Sequence, residues 1–241
     1  MYNKINKNII YTIFIFVYSL GLAQPSNSQQ TVFNVPSADV TPKGKIFLQQ
    51  ESQFRPYKNN SYWWGTEYMA VGVGHNTELT ATLFNVSTPT SDNISLGVGF
   101  KSAIPIPKLD SKFPNQELKL IIGNEVLASM QGLGAGNWTY AALSGRVPKI
   151  KTRITGGFSS GSRLIFGNDT VCFIGAIEQP ITKKFEAVAD WFSGDEHYAG
   201  FLIAGGSYKL PKNNVIFFGY QIPNSPKVGD SGFIIEVSKI F

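Results

Sequence analysis

His197 closes the loop "SGDEH" beside Asp195 and Glu196, with Asp190 a few positions upstream. A histidine among carboxylates has the makings of general acid–base hydrolysis, because an acid can orient the imidazole that carries the proton. A catalytic base also needs a positioned partner within hydrogen-bond reach, and polar loops assemble such triplets by composition alone. No enzyme is expected. The other histidine, His75, sits in the turn "GHN", where a polar residue is ordinary. The glycines of "GLGAG" (132–136) run into "NWTYAAL" and not into a helix, so they lack the helix N-terminus that a phosphate site requires. Cys172 is the single cysteine, which excludes an internal disulfide, and with two distant histidines no metal-ligand spacing arises. No cofactor or metal is expected.

The more informative chemistry is a set of charges inside apolar stretches. Glu67, Glu78, Lys101, Glu117, Lys119, Glu125, Arg153, Glu186, Asp190 and Glu236 mostly fall opposite the apolar residues of their segments. A Lys or Arg facing lipid at the middle of a barrel wall costs roughly 2–4 kcal/mol. These charges are therefore expected to line a lumen. Two arrangements satisfy that: a polar channel, acidic in balance, or a closed interior in which the acids pair with Lys119 and Arg153.

Such charges need strands to position them. In "NISLGVGFK", Ile94, Leu96, Val98 and Phe100 share one face, and Ser95, Gly97, Gly99 and Lys101 the other. In "KKFEAVADWF", Glu186 and Asp190 oppose Phe185, Ala187, Ala189 and Trp191. The period is two, not 3.6. Segments of this kind centre near Leu48, Tyr68, Thr80, Val98, Leu120, Tyr140, Thr155, Phe173, Ala187, Ile203, Phe217 and Ile235. That predicts an all-β chain, an antiparallel up-and-down barrel of about twelve strands, with 10–14 possible, at the length and spacing a spanning strand plus its connection requires. Short connections such as "GHN", "VPKIK" and "LPKNN" alternate with longer polar ones such as "SSGSRLIFGND" and "PNSPKVGDS"; "IPIPKLDSKFPNQ" breaks the alternation.

Composition sets the frame. The 241 residues are 43% hydrophobic, 13% aromatic and only 15% charged, yet mean hydropathy is −0.03. A multi-span helical membrane protein is excluded, since only Asn8 to Ala23 forms a long apolar run. Lys4 and Lys7 before it and "GLAQ" after it mark residues 1–23 as a cleaved signal peptide. Residues 24–42 are then expected as an N-terminal periplasmic segment and 43–241 as the barrel. The 21 Lys and Arg include Lys4 and Lys7, so the exported chain carries 19 against 16 acidic residues. No basic run suggests nucleic acid.

Alternation alone fits a soluble barrel as well as a membrane one. Three features favour the membrane. The non-apolar faces are rich in Gly, Ser, Thr and charge, and aromatics cluster near strand ends (Tyr62, Trp63, Trp64 and Tyr68; Trp138 and Tyr140; Trp191 and Phe192; Tyr208; Tyr220), as interfacial girdles do. The third is the ending "GFIIEVSKIF", an alternating strand that runs to the last residue. In lipid no sheet edge can stay open, so such a strand must pair with the first.

Here the chain resembles bacterial outer-membrane β-barrel proteins, porin-like in architecture, whose last strand carries a signal for the barrel-assembly machinery. Gly232, Phe233, Ile235, Val237 and Phe241 match that signal, and Lys239 departs from it. The resemblance implies an outer-membrane location in a diderm bacterium, with the lipid bilayer and the assembly machinery as partners. It further implies either a small channel or passive transporter for polar solutes or ions, or a plugged structural or adhesive barrel whose loops bind a partner. Oligomeric state is not readable from the residues.

Overall fold

The computed structural model describes residues 31–56, 62–88, 94–107, 116–197 and 199–241. The strands are β1 (Ile46–Arg55), β2 (Tyr62–Gly74), β3 (Thr77–Thr88), β4 (Ser95–Pro105), β5 (Lys119–Ser129) and β6 (Ala135–Arg146), then β7 (Arg153–Gly161), β8 (Val171–Pro180), β9 (Phe185–Phe192), β10 (Phe201–Leu210), β11 (Asn214–Pro223) and β12 (Gly232–Ile240). A short helix, α1 (Arg163–Phe166), lies between β7 and β8. Each strand pairs antiparallel with the next, and β12 returns to β1 with Glu51 opposite Glu236, closing the barrel. Every one of the expected strand centres falls inside a strand.

Alternation sorts the side chains. On β12, Phe233, Ile235 and Val237 are 43–45% exposed on the outside, while Ile234, Glu236 and Ser238 are buried inside. On β7, Ile154 and Phe158 point out while Arg153, Thr155 and Ser159 point in. An apolar exterior around a charged interior is the reverse of a soluble barrel, and lipid is the solvent that stabilises it. Strand lengths of 8 to 13 residues suit a bilayer crossing.

The start of β1, the end of β12 and the short connections share one rim. At the β2–β3 turn, His75 and Asn76 have φ of 52° and 55°, the left-handed pair that a two-residue hairpin demands. His75 is thus a turn former. The connection between β4 and β5, residues 106–118, lies on this rim too and is the long exception; the β7–β8 connection with α1 and the other polar loops occupy the opposite rim.

The segment from Thr31 to Thr41, expected in the periplasm, lies in the lumen. Val32, Phe33, Val35 and Ala38 are at most 2% exposed. The physical reason is that its apolar side chains find an apolar patch inside the wall, and its backbone finds acceptors there that satisfy it away from bulk water. Residues 1–30, with the expected signal peptide, lie outside the described residues.

Candidate functional site

Asp190, pointing inward from β9, accepts three consecutive backbone N–H groups through one oxygen: Phe33 at 3.0 Å, Asn34 at 2.7 Å and Val35 at 2.8 Å. A tight turn, closed by Val32 N–H to Val35 O, converges these donors. The Phe33 ring seats against β11, 6.1 Å from Phe217 and edge-on to it. Gly219 makes that seat: a Cβ there would stand 2.8 Å from Phe33 Cζ and 3.1 Å from Ile203 Cγ2.

Nearer the turn-side rim the same segment is held by charge. Thr41 donates its N–H and its hydroxyl to Glu78 Oε2, both at 2.7 Å, and Lys101 pairs with the other Glu78 oxygen at 3.2 Å. Arg153 binds Asp39 in a two-pronged pair, 3.0 Å on each arm, and Glu178 at 3.2 Å. Lys119 Nζ donates to Ala38 O at 3.0 Å. Charges on β3, β5, β7 and β9 thus bond one strand-less segment directly, with Lys101 of β4 and Glu178 of β8 behind Glu78 and Arg153.

Of the expected lumen residues, Glu78, Lys101, Lys119, Glu125, Arg153, Glu186, Asp190 and Glu236 point inward; all of them except Lys119 are fully buried. Two differ. Glu67 is exposed on the outside, in phase with Met69 and directly across from Gln50. The alternation of β2 places Trp64, Thr66 and Tyr68 inward, and that parity leaves Glu67 no choice. Glu117 lies before β5 at the rim, half-exposed, and pairs with Arg146 at 2.8 Å. Sequence reasoning passed over Glu51, Arg55, Arg146 and Glu178, which are all buried inside. Each shares parity with inward neighbours, so counting by twos along its own strand would have found it.

The aromatic clusters also need correction. Trp191, Tyr208 and Tyr220 lie on the outer face, but Trp64, Tyr68, Trp138, Tyr140 and Phe192 point into the lumen. Adjacent Trp63 and Trp64, or Trp191 and Phe192, cannot share a face of one strand. Tyr140 leans over Gly123 of β5, and Glu125 over Gly97 of β4, where any Cβ would collide.

Above the Phe33 turn these rings enclose a cavity of about 280 Å³. Trp64, Tyr68 and Trp138 form its walls, Phe166 and Phe192 its top, and Phe33 with Asn34 its floor. Glu51 and Glu125 also reach it, and no Lys, Arg or His does among the described residues. Glu51 accepts from Gln53 at 2.6 Å and Glu125 from Thr82 at 2.6 Å.

The loop side is capped. Phe166 of α1 stacks on Phe192, with centroids 6.1 Å apart and planes at 14°. His197 packs its edge on both rings, at 5.0 and 5.5 Å. Its Nε2 bonds Ser193 O at 2.9 Å and lies 3.2 Å from Cys172 Sγ, and its Nδ1 accepts from Ala199 N–H. Burial pushes the imidazole below its ordinary pKa. Asp195 and Glu196 do not serve it: both donate backbone N–H groups to Asp169, holding that carboxyl below its usual range, and Glu196 faces Lys227 and Asn168. His197 is a packing residue of the cap. Asn224 ties the β9–β10 and β11–β12 connections together through Phe192 O and Gly194 O.

A closed twelve-strand barrel, apolar outside and charged within, has the architecture of porin-like outer-membrane barrels. Among solved structures it is similar to the KdgM porin in complex with disordered oligogalacturonate: 12% identity, TM-score 0.51, covering 82% of this chain and 99% of that one. It is similar also to the outer membrane protein Omp33 of Acinetobacter baumannii: 10% identity, TM-score 0.52, covering 84% and 100%. No family model matches the chain, and no curated protein does. At these identities the likeness is one of fold.

Proposed function

We propose that the protein is a gated outer-membrane channel or passive transporter, which passes small polar or charged solutes when residues 31–42 withdraw from the lumen. One observation carries the reading: the lumen is closed by a segment of the chain itself, held by polar contacts that water and solute can replace. Glu78, Lys119, Arg153 and Asp190 grip it now and would line the vacated path. Export by a signal peptide cleaved after Ala23, and insertion by the barrel-assembly machinery through Gly232, Phe233, Ile235, Val237 and Phe241, belong to the same reading. Phe233, Ile235, Val237 and Phe241 all project outward, where a partner can reach them during assembly.

The test is single-channel conductance in planar bilayers of the mature chain and of a Phe33→Ala/Asp190→Ala double variant. The expected result is brief or rare openings for the wild type and long-lived openings for the variant. Two inserted but silent proteins would refute the channel and favour a second reading. In that one the barrel is a structural or adhesive scaffold, and the cap knitted by α1, His197 and Asn224 presents a fixed surface to a partner.

A further inference from the structure

The cavity between the Phe33 turn and the cap has a chemistry that the gate does not use. Its aromatic faces carry negative quadrupoles, and a cation within about 6 Å of such a face is attracted to it, more strongly when both are desolvated. Glu51 and Glu125 add two carboxylates that form no ion pair among the described residues. Glu236, the cross-strand neighbour of Glu51, is fully buried and neither of its oxygens has a hydrogen-bond partner among the described residues. At the cavity's edge the protein already holds one of its own cations in this way. Arg55 stands 5.0 Å over the Trp64 ring and 5.2 Å over Phe201, and donates to Gln53 at 2.9 Å. It does not line the cavity, whose net character stays acidic and aromatic.

A neutral apolar ligand would bring no opposite charge to two buried carboxylates that have the neutral donors Gln53, Thr66 and Thr82, a costly arrangement. An anion would be repelled. We propose that this cavity is a binding site for a small organic cation, an ammonium or quaternary ammonium head on a compact apolar body. The head would lie between Glu51 and Glu125, and the body against Trp138, Phe166 and Phe192. At about 280 Å³ the space is near the lower end of ordinary ligand pockets, about 300–1,000 Å³, so the ligand is small. This rests on the reading of the barrel as a transport protein and names the class of its solute.

The experiment is isothermal titration of the refolded mature protein in detergent with phenethylammonium, phenethyl alcohol and phenylacetate. These three probes share one ring and differ in charge. Titrations are run on the wild type and on the Phe33→Ala/Asp190→Ala variant, so that slow access through a closed barrel cannot conceal the site. Saturable one-to-one binding of the ammonium is expected, with the alcohol and the carboxylate at least tenfold weaker. A Glu51→Gln/Glu125→Gln protein that still shifts on heating in a gel should lose at least tenfold in affinity for the ammonium and none for the alcohol. Trp138→Leu, which leaves the charges alone, should weaken it severalfold and serves if the double variant does not fold. Equal affinity for alcohol and ammonium, unchanged affinity in these variants, or no saturable binding to either protein overturns the proposal. A barrel that conducts without binding the ammonium sinks this inference alone, and one that binds without conducting sinks the transport reading alone.

Discussion

Single side chains in this barrel are decided by parity, and parity explains both successes and failures of the sequence reading. Asp190 and Glu186 oppose an unbroken apolar row on β9, so their inward direction was legible. Glu67 was not legible, because β2 carries large apolar residues on both faces, Met69 outside and Trp64 and Tyr68 inside, so apolar character does not mark the outer side there. It faces lipid across from Gln50. Glu67→Leu is therefore expected to raise the urea midpoint of the barrel, by less than the roughly 2–4 kcal/mol that Lys or Arg costs at mid-bilayer. A lower midpoint would mean that Glu67 makes a polar contact worth more than its desolvation. Asp190 has the opposite character. Hydrogen bonds to a charged acceptor contribute about 1.5–3 kcal/mol each. Asp190→Ala should consequently shift the gate's equilibrium at least about tenfold toward opening, read as open probability in a bilayer. His197 brings a pH dependence. Its folded pKa lies below the ordinary value of about 6.5, so the unfolded chain takes up the proton first and stability falls as pH drops through about 6.5. Unfolding at pH 7.5 and at pH 5 should show the loss, and His197→Gln should abolish the His197 share of it.

At the scale of elements, the strands were readable and the lumenal segment was not. Twelve alternating stretches announce themselves because lipid on one side and a wet or packed interior on the other impose a period of two. Residues 31–42 have no such period. "TVFNVPSADVTP" reads as a turn-rich leader, and its apolar Val32, Phe33 and Val35 gain meaning only beside Gly219, Phe217 and Asp190, more than 150 positions away. The aromatic half of the cavity was hidden in the same way, as Trp138 and Tyr140 looked like a girdle until β6 fixed their side. Gly219 supplies the test at this scale. Gly219→Val places methyl groups where the Phe33 ring lies, and should expel the turn while sparing every charge. Open probability is expected to rise as it does for Asp190→Ala, with the barrel still heat-modifiable on a gel. Unchanged gating would show that Phe33 is not an anchor.

For the whole molecule, the fold joins two closures around one compartment. The N-terminal segment fills the turn side, α1 and the β9–β10 and β11–β12 connections cap the loop side, and an acidic, aromatic cavity lies between them. The seam between β1 and β12 completes the wall, with Gly232 opposite Phe54 and Arg55, where a Cβ would strike the Phe54 carbonyl. A barrel built this way transports only if the segment moves, which requires that Thr31 to Thr41 occupy the lumen of the inserted protein. The direct measurement is maleimide labelling of Ser37→Cys in membranes, in a Cys172→Ser background, with Met130→Cys as an exposed control. Ser37 is 0% and Met130 66% exposed. Rapid labelling is expected at 130 and slow labelling at 37, which Gly219→Val or Asp190→Ala accelerates. Equal rates at both positions in the unmodified barrel would contradict that placement, and would return residues 31–42 to the periplasm.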